Sequence, residues 1–282
     1  MNFYSSLHRK INKKSANVAI IGLGYVGLPL ALQFSKKKFN VTGFDIDLIK
    51  IKKLKKNISY INHIPNKAIK LFSKKLKFTS NFRIITKSDI IILCLPTPLT
   101  KKFEPDLSYI KKTLKNIKKY LRNGQLLILE SSTYPGSTRN ILLPFLKKFD
   151  LGKNFFLGYS PEREDPNNSR YRLENIPKIC SGFSNTCLKL VSSLYKSIIK
   201  KTVKVRKLET AEFVKLYENI YRSINIGLVN EMKIISNKLN LDIYEIINAA
   251  KSKPFGFQAF YPGPGVGGHC IPVDTYYLSW VA

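Results

Sequence analysis

Short, nearly continuous apolar runs separated by helical periodicities set the plan of the first half of the chain. Val18–Ile21, Val41–Phe44, Asp89–Leu95, Leu126–Leu129 and Phe155–Gly158 read as strands, being of strand length and rich in aliphatic side chains. Helical stretches lie between them, from Val26 to about Lys37, near Ile46–Lys56, from Asp106 to about Leu121, and from about Ser137 to Lys147. Strands that are apolar on both faces and alternate with helices predict a parallel sheet covered on both sides. The expected class is therefore α/β, a Rossmann-type doubly wound sheet. The pattern changes beyond residue 205, where a long helix from about Glu209 to Asn237 dominates and predicts a mainly helical central domain. Its apolar positions Phe213, Leu216, Ile220, Ile224 and Leu228 suit either a core or a dimer seam.

The first strand–helix–strand unit carries a recognisable turn. Val18–Ile21 runs into Gly22-Leu-Gly24-Tyr25-Val26-Gly27, and Asp45 follows the next strand, 18 positions past Gly27. Each residue type has a reason to be there: Gly22 for the tight turn, Gly24 for close backbone approach to a pyrophosphate, Gly27 for helix–strand packing. The amide groups opening the helix favour phosphate. An acid in the place of Asp45 accepts from both ribose hydroxyls and repels a 2′-phosphate, so NAD is expected rather than NADP. Two polar loops, Pro96-Thr97-Pro98 and Glu130-Ser131-Ser132-Thr133, fall at strand ends, where ligands of such sheets bind. The hydroxyls also suit simple helix caps, and Cys94 suits a buried strand position.

Composition narrows the alternatives. With 282 residues and 44% hydrophobic content, two domains are expected: 17–205 for the dinucleotide and 206–282 for the helical part. Residues 1–16 are basic and polar and read as a frayed extension. No apolar run approaches a membrane span and no signal-peptide pattern follows the basic start, so a cytoplasmic protein without a membrane partner is expected. The net charge of +30 invites a nucleic-acid reading. Lysines spread in small groups along most of the chain, with few arginines, argue against a dedicated nucleic-acid surface. Positive potential still draws in anionic substrates. Four cysteines without C-x-x-C spacing and only three histidines predict neither a disulfide framework nor a metal site.

The second half holds more chemistry. Lys215 and Asn219, four apart on the long helix, share one of its faces. Near the end, Gly263-Pro-Gly265-Val-Gly267-Gly268-His269-Cys270 leads to Asp274. Glycines in such density permit unusual backbone angles and close ligand approach, which makes Cys270 a candidate nucleophile.

Taken together, Gly22–Gly27, Glu130-Ser-Ser-Thr-Tyr-Pro-Gly136, Ser160-Pro-Glu-Arg163, Lys215 with Asn219, and Lys253-Pro-Phe-Gly through Cys270 resemble the UDP-glucose/GDP-mannose dehydrogenase family. The wording around Pro254–Pro272 most resembles its UDP-N-acetylglucosamine 6-dehydrogenase branch. The resemblance implies an NAD-dependent oxidation of a UDP-sugar CH2OH to the carboxylate by two hydride transfers, for surface polysaccharide synthesis. It implies Cys270 as nucleophile, Lys215 and Asn219 at the C6 oxygen, and Asp274 and Glu162 handling protons or water. It also implies substrate contacts from Glu162, Arg163, Lys215, Asn219 and Gly267, and cofactor contacts from Gly22, Gly24, Tyr25, Val26, Gly27 and Asp45, with Thr97, Glu130 and Ser132 at the nicotinamide end. A homodimer through the long helix is expected.

Departures from the family pattern are few. Ser132 stands where Thr is common; Asn167, Asn168 and Thr275 replace a more usual Gly and Pro. The chain ends at Ala282, where the family continues into a further α/β domain for the nucleotide, so a fragment or a separately encoded remainder is expected, one that binds NAD but turns over UDP-sugars poorly alone. A two-electron 3-hydroxyacid or 6-phosphogluconate-type dehydrogenase, which also pairs a Lys and an Asn four apart, and a non-catalytic NAD-binding fragment are the alternatives.

Overall fold

The computed structural model describes residues 2–164, 173–268 and 270–282, with the backbone only at position 270. Asn167, Asn168 and His269 lie outside the described residues. By packing, the chain divides into two compact units, one of residues 1–98 and 106–213, the other of residues 99–105 and 214–282.

The amino-terminal unit is built on a sheet of, among the described residues, eight strands: β1 (Asn17–Ile21), β2 (Asn40–Phe44), β3 (Leu76–Thr79), β4 (Ile90–Leu93), β5 (Leu126–Leu129), β6 (Phe156–Tyr159), β7 (Lys178–Gly182) and β8 (Thr202–Lys204). Their order is β3-β2-β1-β4-β5-β6-β7-β8. β1 therefore pairs with both β2 and β4 in parallel, Val18 lying beside Val41 and Ile90. The strand order reverses at this pair, and the crevice beyond its carboxyl ends is where doubly wound sheets bind ligands. The central strands β4 and β5 are buried along their whole length, which explains their unbroken apolar runs.

Two expectations need correction. Residues Phe3–Asn12, read as a frayed extension, form helix α1. Asn2 caps it by accepting from the Ser5 N–H at 3.1 Å, and Leu7 and Ile11, one turn apart, are buried in the main core. The stripe Phe3, Tyr4, Leu7, Ile11 was legible at helical spacing, yet the basic residues around it masked the signal. The sheet is also not wholly parallel: β6 and β7 run antiparallel, with Gly158 opposite Gly182 and Tyr159 opposite Ser181. Chain that leaves β6 returns beside it from the same end, so no crossover helix is needed.

The helices covering the sheet are α2 (Gly27–Lys36), α3 (Leu48–Lys55), α4 (Asn66–Phe72), α5 (Ser108–Ile117), α6 (Leu143–Leu146) and α7 (Asn185–Lys196). The stretch expected as one helix over residues 137–147 begins instead with a π-turn, Thr138–Leu142, before α6. Sequence patterning missed α4, β3, β7, α7 and β8. α7 is nonetheless plainly amphipathic: Cys187, Leu190, Val191, Leu194 and Tyr195 recur at the three- and four-residue spacing of one buried face.

The second unit contains most of the long helix α8 (Leu208–Lys238), with α9 (Ile243–Ala250) and α10 (Cys270–Val281). Asn240 adopts a left-handed φ of +54° just after α8, and Asp242 caps α9 by accepting from the Tyr244 N–H at 2.8 Å. Val229 of α8 packs with Ile243 and Ile247 of α9, against Ala259 and Phe260. Asn230 holds the glycine-rich segment to α8 at two points: its Oδ1 accepts from the Gly263 N–H at 2.9 Å and its Nδ2 donates to the Gly265 carbonyl at 3.1 Å.

Candidate functional site

The turn between β1 and α2 is held by the end of β4. Gly22 has φ +93°, donates its N–H to the Phe44 carbonyl at 2.9 Å, and sits so close to β4 that an added Cβ would lie 2.3 Å from the Cys94 carbonyl oxygen. A Cβ on Gly27 would lie 1.8 Å from the Gly22 oxygen, so only glycine allows α2 to start this near the strand. Gly24 differs, since its Cβ direction meets nothing within 4 Å. Space is thus kept open beside the first turn of α2, and no side chain caps that helix at Val26. An uncapped helix start beside an open glycine suits a phosphate, whose oxygens can take the free amide donors. The Tyr25 ring, 63% exposed, stacks beside His63 at the outer edge.

Asp45, at the end of β2, completes the cradle. It accepts from the Leu23 N–H at 2.9 Å and the Asp47 N–H at 3.0 Å, one bond to each oxygen. Each oxygen keeps acceptor capacity for a ribose hydroxyl. Tyr60 ties the same turn from outside by donating to the Leu23 carbonyl. The residues present thus fit a dinucleotide, with the pyrophosphate at Gly24–Gly27 and the adenosine ribose at Asp45.

The next two strand ends lie beside this turn. Cys94, buried as expected, donates its N–H to the Ile21 carbonyl at 2.8 Å, and the Leu95 N–H donates to Ser131 Oγ at 2.9 Å. Ser131 rather than Ser132 therefore ties the two loops, while Ser132 and Thr97 are both half-buried. The far end of the second loop is anchored by Glu212, a buried carboxylate near the start of α8. It accepts from the Gly136 N–H at 2.6 Å, the Thr138 N–H at 2.7 Å and Ser137 Oγ at 3.0 Å. Glu212 therefore caps the π-turn, and burial raises its carboxyl despite these donors.

Glu130, expected at the nicotinamide end, has its carboxylate turned into a buried cluster. Lys178, the first residue of β7, donates from Nζ to Glu130 Oε2 at 2.9 Å and to Glu162 Oε2 at 2.7 Å. Tyr195 of α7 donates its hydroxyl to the other Glu130 oxygen. The Lys178 and Glu130 side chains are 3% and 0% exposed, and Glu162 is the outermost at 13%. Glu162 Oε1 also accepts the N–H groups of Arg163 and Glu164, both at 2.7 Å, while Arg163 Nη1 donates to the Pro177 carbonyl at 2.7 Å. Burial alone would raise the Glu162 carboxyl, but the Lys178 ammonium and the two backbone donors outweigh it and hold that group below the usual range. Glu130 goes the other way: burial raises it, Lys178 opposes, and the neighbouring Glu162 charge adds to the rise. Lys178 and Tyr195 carried no sequence signal, because one lysine among many and one tyrosine on an amphipathic helix look ordinary.

In the second unit, Asn219 and Asp274 are 4% and 1% exposed, and Asn219 Nδ2 donates to Asp274 Oδ2. Burial raises the Asp274 carboxyl, while the Asn219 hydrogen bond and the Lys215 charge pull it down without cancelling the rise. α8 and α10 thus bring three expected residues, Lys215, Asn219 and Asp274, into one electrostatic group. Gly265, Gly267 and Gly268 have φ of +73°, +68° and +70°, as the glycine-dense sequence predicts for a loop closed to other residue types. Cys270 opens α10, and its side chain lies outside the described residues.

Comparison with known proteins gives this arrangement a context. Residues 16–199 match the NAD binding domain of the UDP-glucose/GDP-mannose dehydrogenase family, and residues 209–282 match its central domain. A UDP-N-acetyl-D-glucosamine 6-dehydrogenase of Pseudomonas aeruginosa is 41% identical over 270 residues, covering 94% of this chain and 63% of that protein. One of Salmonella typhi is 40% identical over 266 residues, covering 93% and 62%. The solved structure of a UDP-D-ManNAc dehydrogenase from Pyrococcus horikoshii superposes with a TM-score of 0.87 at 33% identity, covering 93% of this chain and 63% of that one. The chain thus spans less than two thirds of the length of these relatives. A dinucleotide turn in the first unit, a helical second unit carrying Lys215, Asn219 and Asp274, and consecutive matches to both domains lead to one conclusion: the chain belongs to the UDP-glucose/GDP-mannose dehydrogenase family.

Proposed function

We propose that this chain is the cofactor-binding and catalytic part of an NAD-dependent UDP-sugar 6-dehydrogenase, acting on a UDP-N-acetylhexosamine or UDP-glucose in the cytoplasm and serving surface polysaccharide synthesis. The similarity to enzymes named for UDP-N-acetyl-D-glucosamine supports the substrate class. The observation that carries the reading is the buried pair of Asn219 and Asp274 beside Lys215, because oxidation of an alcohol calls for a cation at the developing oxyanion and a group to carry its proton.

NAD supplies the hydride acceptor at each of the two oxidations. The chain's own residues do the rest. Lys215 and Asn219 stabilise negative charge at the C6 oxygen as the alcohol loses its proton. The Cys270 thiolate adds to the aldehyde carbon, giving a thiohemiacetal that is oxidised to a thioester. Water then attacks the thioester carbon and expels the thiolate, with Glu162 and Asp274 taking and returning protons. One CH2OH, one water and two NAD give one carboxylate, two NADH and three protons. Glu162, Arg163 and Gly267 complete the sugar contacts, and Thr97 and Ser132 support the nicotinamide side.

We place a second copy of the chain against α8. Its Ile224 and Leu228 are 65% and 55% exposed, and a cavity of about 740 Å³ between α8, α9 and the 256–260 segment is lined by Leu228, Met232, Ile235, Ile246 and Phe257. Apolar surface of this extent is ordinarily covered.

Cys270→Ala, introduced into a form of the enzyme that oxidises UDP-sugars, tests the assignment. Acid formation is expected to cease while NAD binding persists. Carboxylate production at the parent rate would remove Cys270 from the mechanism.

A further inference from the structure

The described β6–β7 pairing places 158 opposite 182 and 159 opposite 181. Continued three positions outward, the same register sets 162 opposite 178, and there the Glu162 and Lys178 side chains meet at 2.7 Å. Lys178 thus stands opposite Glu162 just past the end of β6, and its Nζ also reaches Glu130, which follows β5.

The cluster has two carboxylates for one ammonium and is shut from solvent on the Glu130 side. Replacing a buried ion pair by apolar residues is often neutral or stabilising, so packing stability gives little reason to keep a lysine here. Its effect on its neighbours is unequal. Glu130 has the Tyr195 hydroxyl and no solvent; Glu162 has two backbone donors and the remaining exposure. Other groups facing the cluster are the Cys94 thiol beyond β4, the Cys180 thiol on β7 and Glu164 beside Glu162, with Lys196 and Lys204 acting on Cys180 from further out. Burial raises both thiols, that of Cys180 up to about 12, so neither supplies a competing negative charge at neutral pH.

We propose that Lys178 is a positioning residue for the reaction, its buried ammonium holding Glu162 ionised and fixed in one orientation while any proton the cluster takes up goes to Glu130, an assignment that rests on the role proposed above for Glu162. Glu162 is then kept as a base at the accessible end of the cluster, and Glu130 acts as its inner charge partner.

The test follows the Glu162 carboxyl directly. In the chain labelled with 13C-glutamate, the Glu162 side-chain resonance is assigned by its loss in Glu162→Gln and followed against pH. In the parent it is expected to titrate below the usual glutamate range. Lys178→Met is expected to raise its midpoint by about one to three pH units, the effect of losing an opposite charge at this distance. Lys178→Arg restores a low midpoint. Because Lys178→Met can fail to fold, Glu130→Gln alone carries an independent arm: if Glu130 already holds the cluster's proton when Glu162 titrates, the neutral amide matches it and the Glu162 midpoint is expected to stay low and unmoved. An unmoved Glu162 midpoint in folded Lys178→Met, or one that falls in Glu130→Gln, overturns the proposal. The catalytic role of Glu162 is read separately, in the acidic limb of the pH–rate profile of an active form of the enzyme. A midpoint that shifts in the resonance while that limb stays put upholds Lys178 as the group that sets the Glu162 charge and refutes Glu162 as the working base.

Discussion

Asn219 donates its side-chain amide to the Asp274 carboxylate, joining α8 to α10 inside the second unit with both residues buried. The raised Asp274 carboxyl means that the folded state holds this proton more tightly than the unfolded chain. Its stabilising contribution is complete below the ordinary aspartate range and is lost as pH rises through the raised native value. Asp274→Asn keeps an acceptor for Asn219 and removes the buried charge. The variant is expected to match or exceed the parent in thermal stability at neutral pH, with the gap closing below the ordinary aspartate range, and to lose sugar oxidation. Thermal unfolding across pH checks this; a variant less stable than the parent at neutral pH would count against a buried, destabilising carboxylate.

Gly24 and Gly27 make a contrasting pair. Alanine at 27 meets the Gly22 oxygen at 1.8 Å, so Gly27→Ala is expected to lower thermal stability and NAD affinity together. Alanine at 24 has free space in the protein but fills the cradle, so Gly24→Ala is expected to fold normally and lose NAD affinity at least tenfold, about 1.4 kcal/mol. Calorimetric titration with NAD beside thermal unfolding separates the two. Equal effects on folding would mean the space beside Gly24 is not where the pyrophosphate lies.

Asp45 holds the Leu23 and Asp47 N–H groups, and the proposed reading gives it a second task at the ribose. Asp45→Asn keeps part of the first and removes the negative charge. NAD binding is expected to weaken and the discrimination against NADP to shrink, measured as the ratio of the two dissociation constants. An unchanged ratio would take Asp45 out of cofactor choice.

Glu212 satisfies three donors of the 136–138 segment from one buried side chain. Glu212→Ala leaves buried N–H groups without a partner, which costs about 3 kcal/mol. Urea unfolding is the measurement, and a loss below about 0.5 kcal/mol would mean that the loop relaxes to other acceptors.

The exposed stripe on α8 predicts self-association. Sedimentation equilibrium is expected to find the parent chain dimeric and Leu228→Glu monomeric, with NAD affinity unchanged. A monomeric parent at every concentration would leave the apolar surface to another partner.

Much of the candidate site was readable because its signals are local. The turn from Gly22 to Gly27 needs glycines for contacts made within one β–α–β unit, and Asp45 lies at the end of the next strand of that unit, so spacing along the chain reports their positions. The stripe of α8 and the positive-φ glycines at 265, 267 and 268 are equally short-range. Even α1 had its pattern, four apolar positions that basic neighbours obscured.

Sequence alone settled the dinucleotide turn, the two-part layout and the residue types offered for chemistry, since each depends on neighbours within a few turns of chain. Only the tertiary structure decided which of the chain's many lysines is buried between carboxylates. Position 178 meets Glu130 from 48 residues away and Glu162 from 16 because β7 returns antiparallel along β6. No periodicity encodes that meeting, because hydrophobic patterning reports which face of an element is inside and is silent on which distant element it will face.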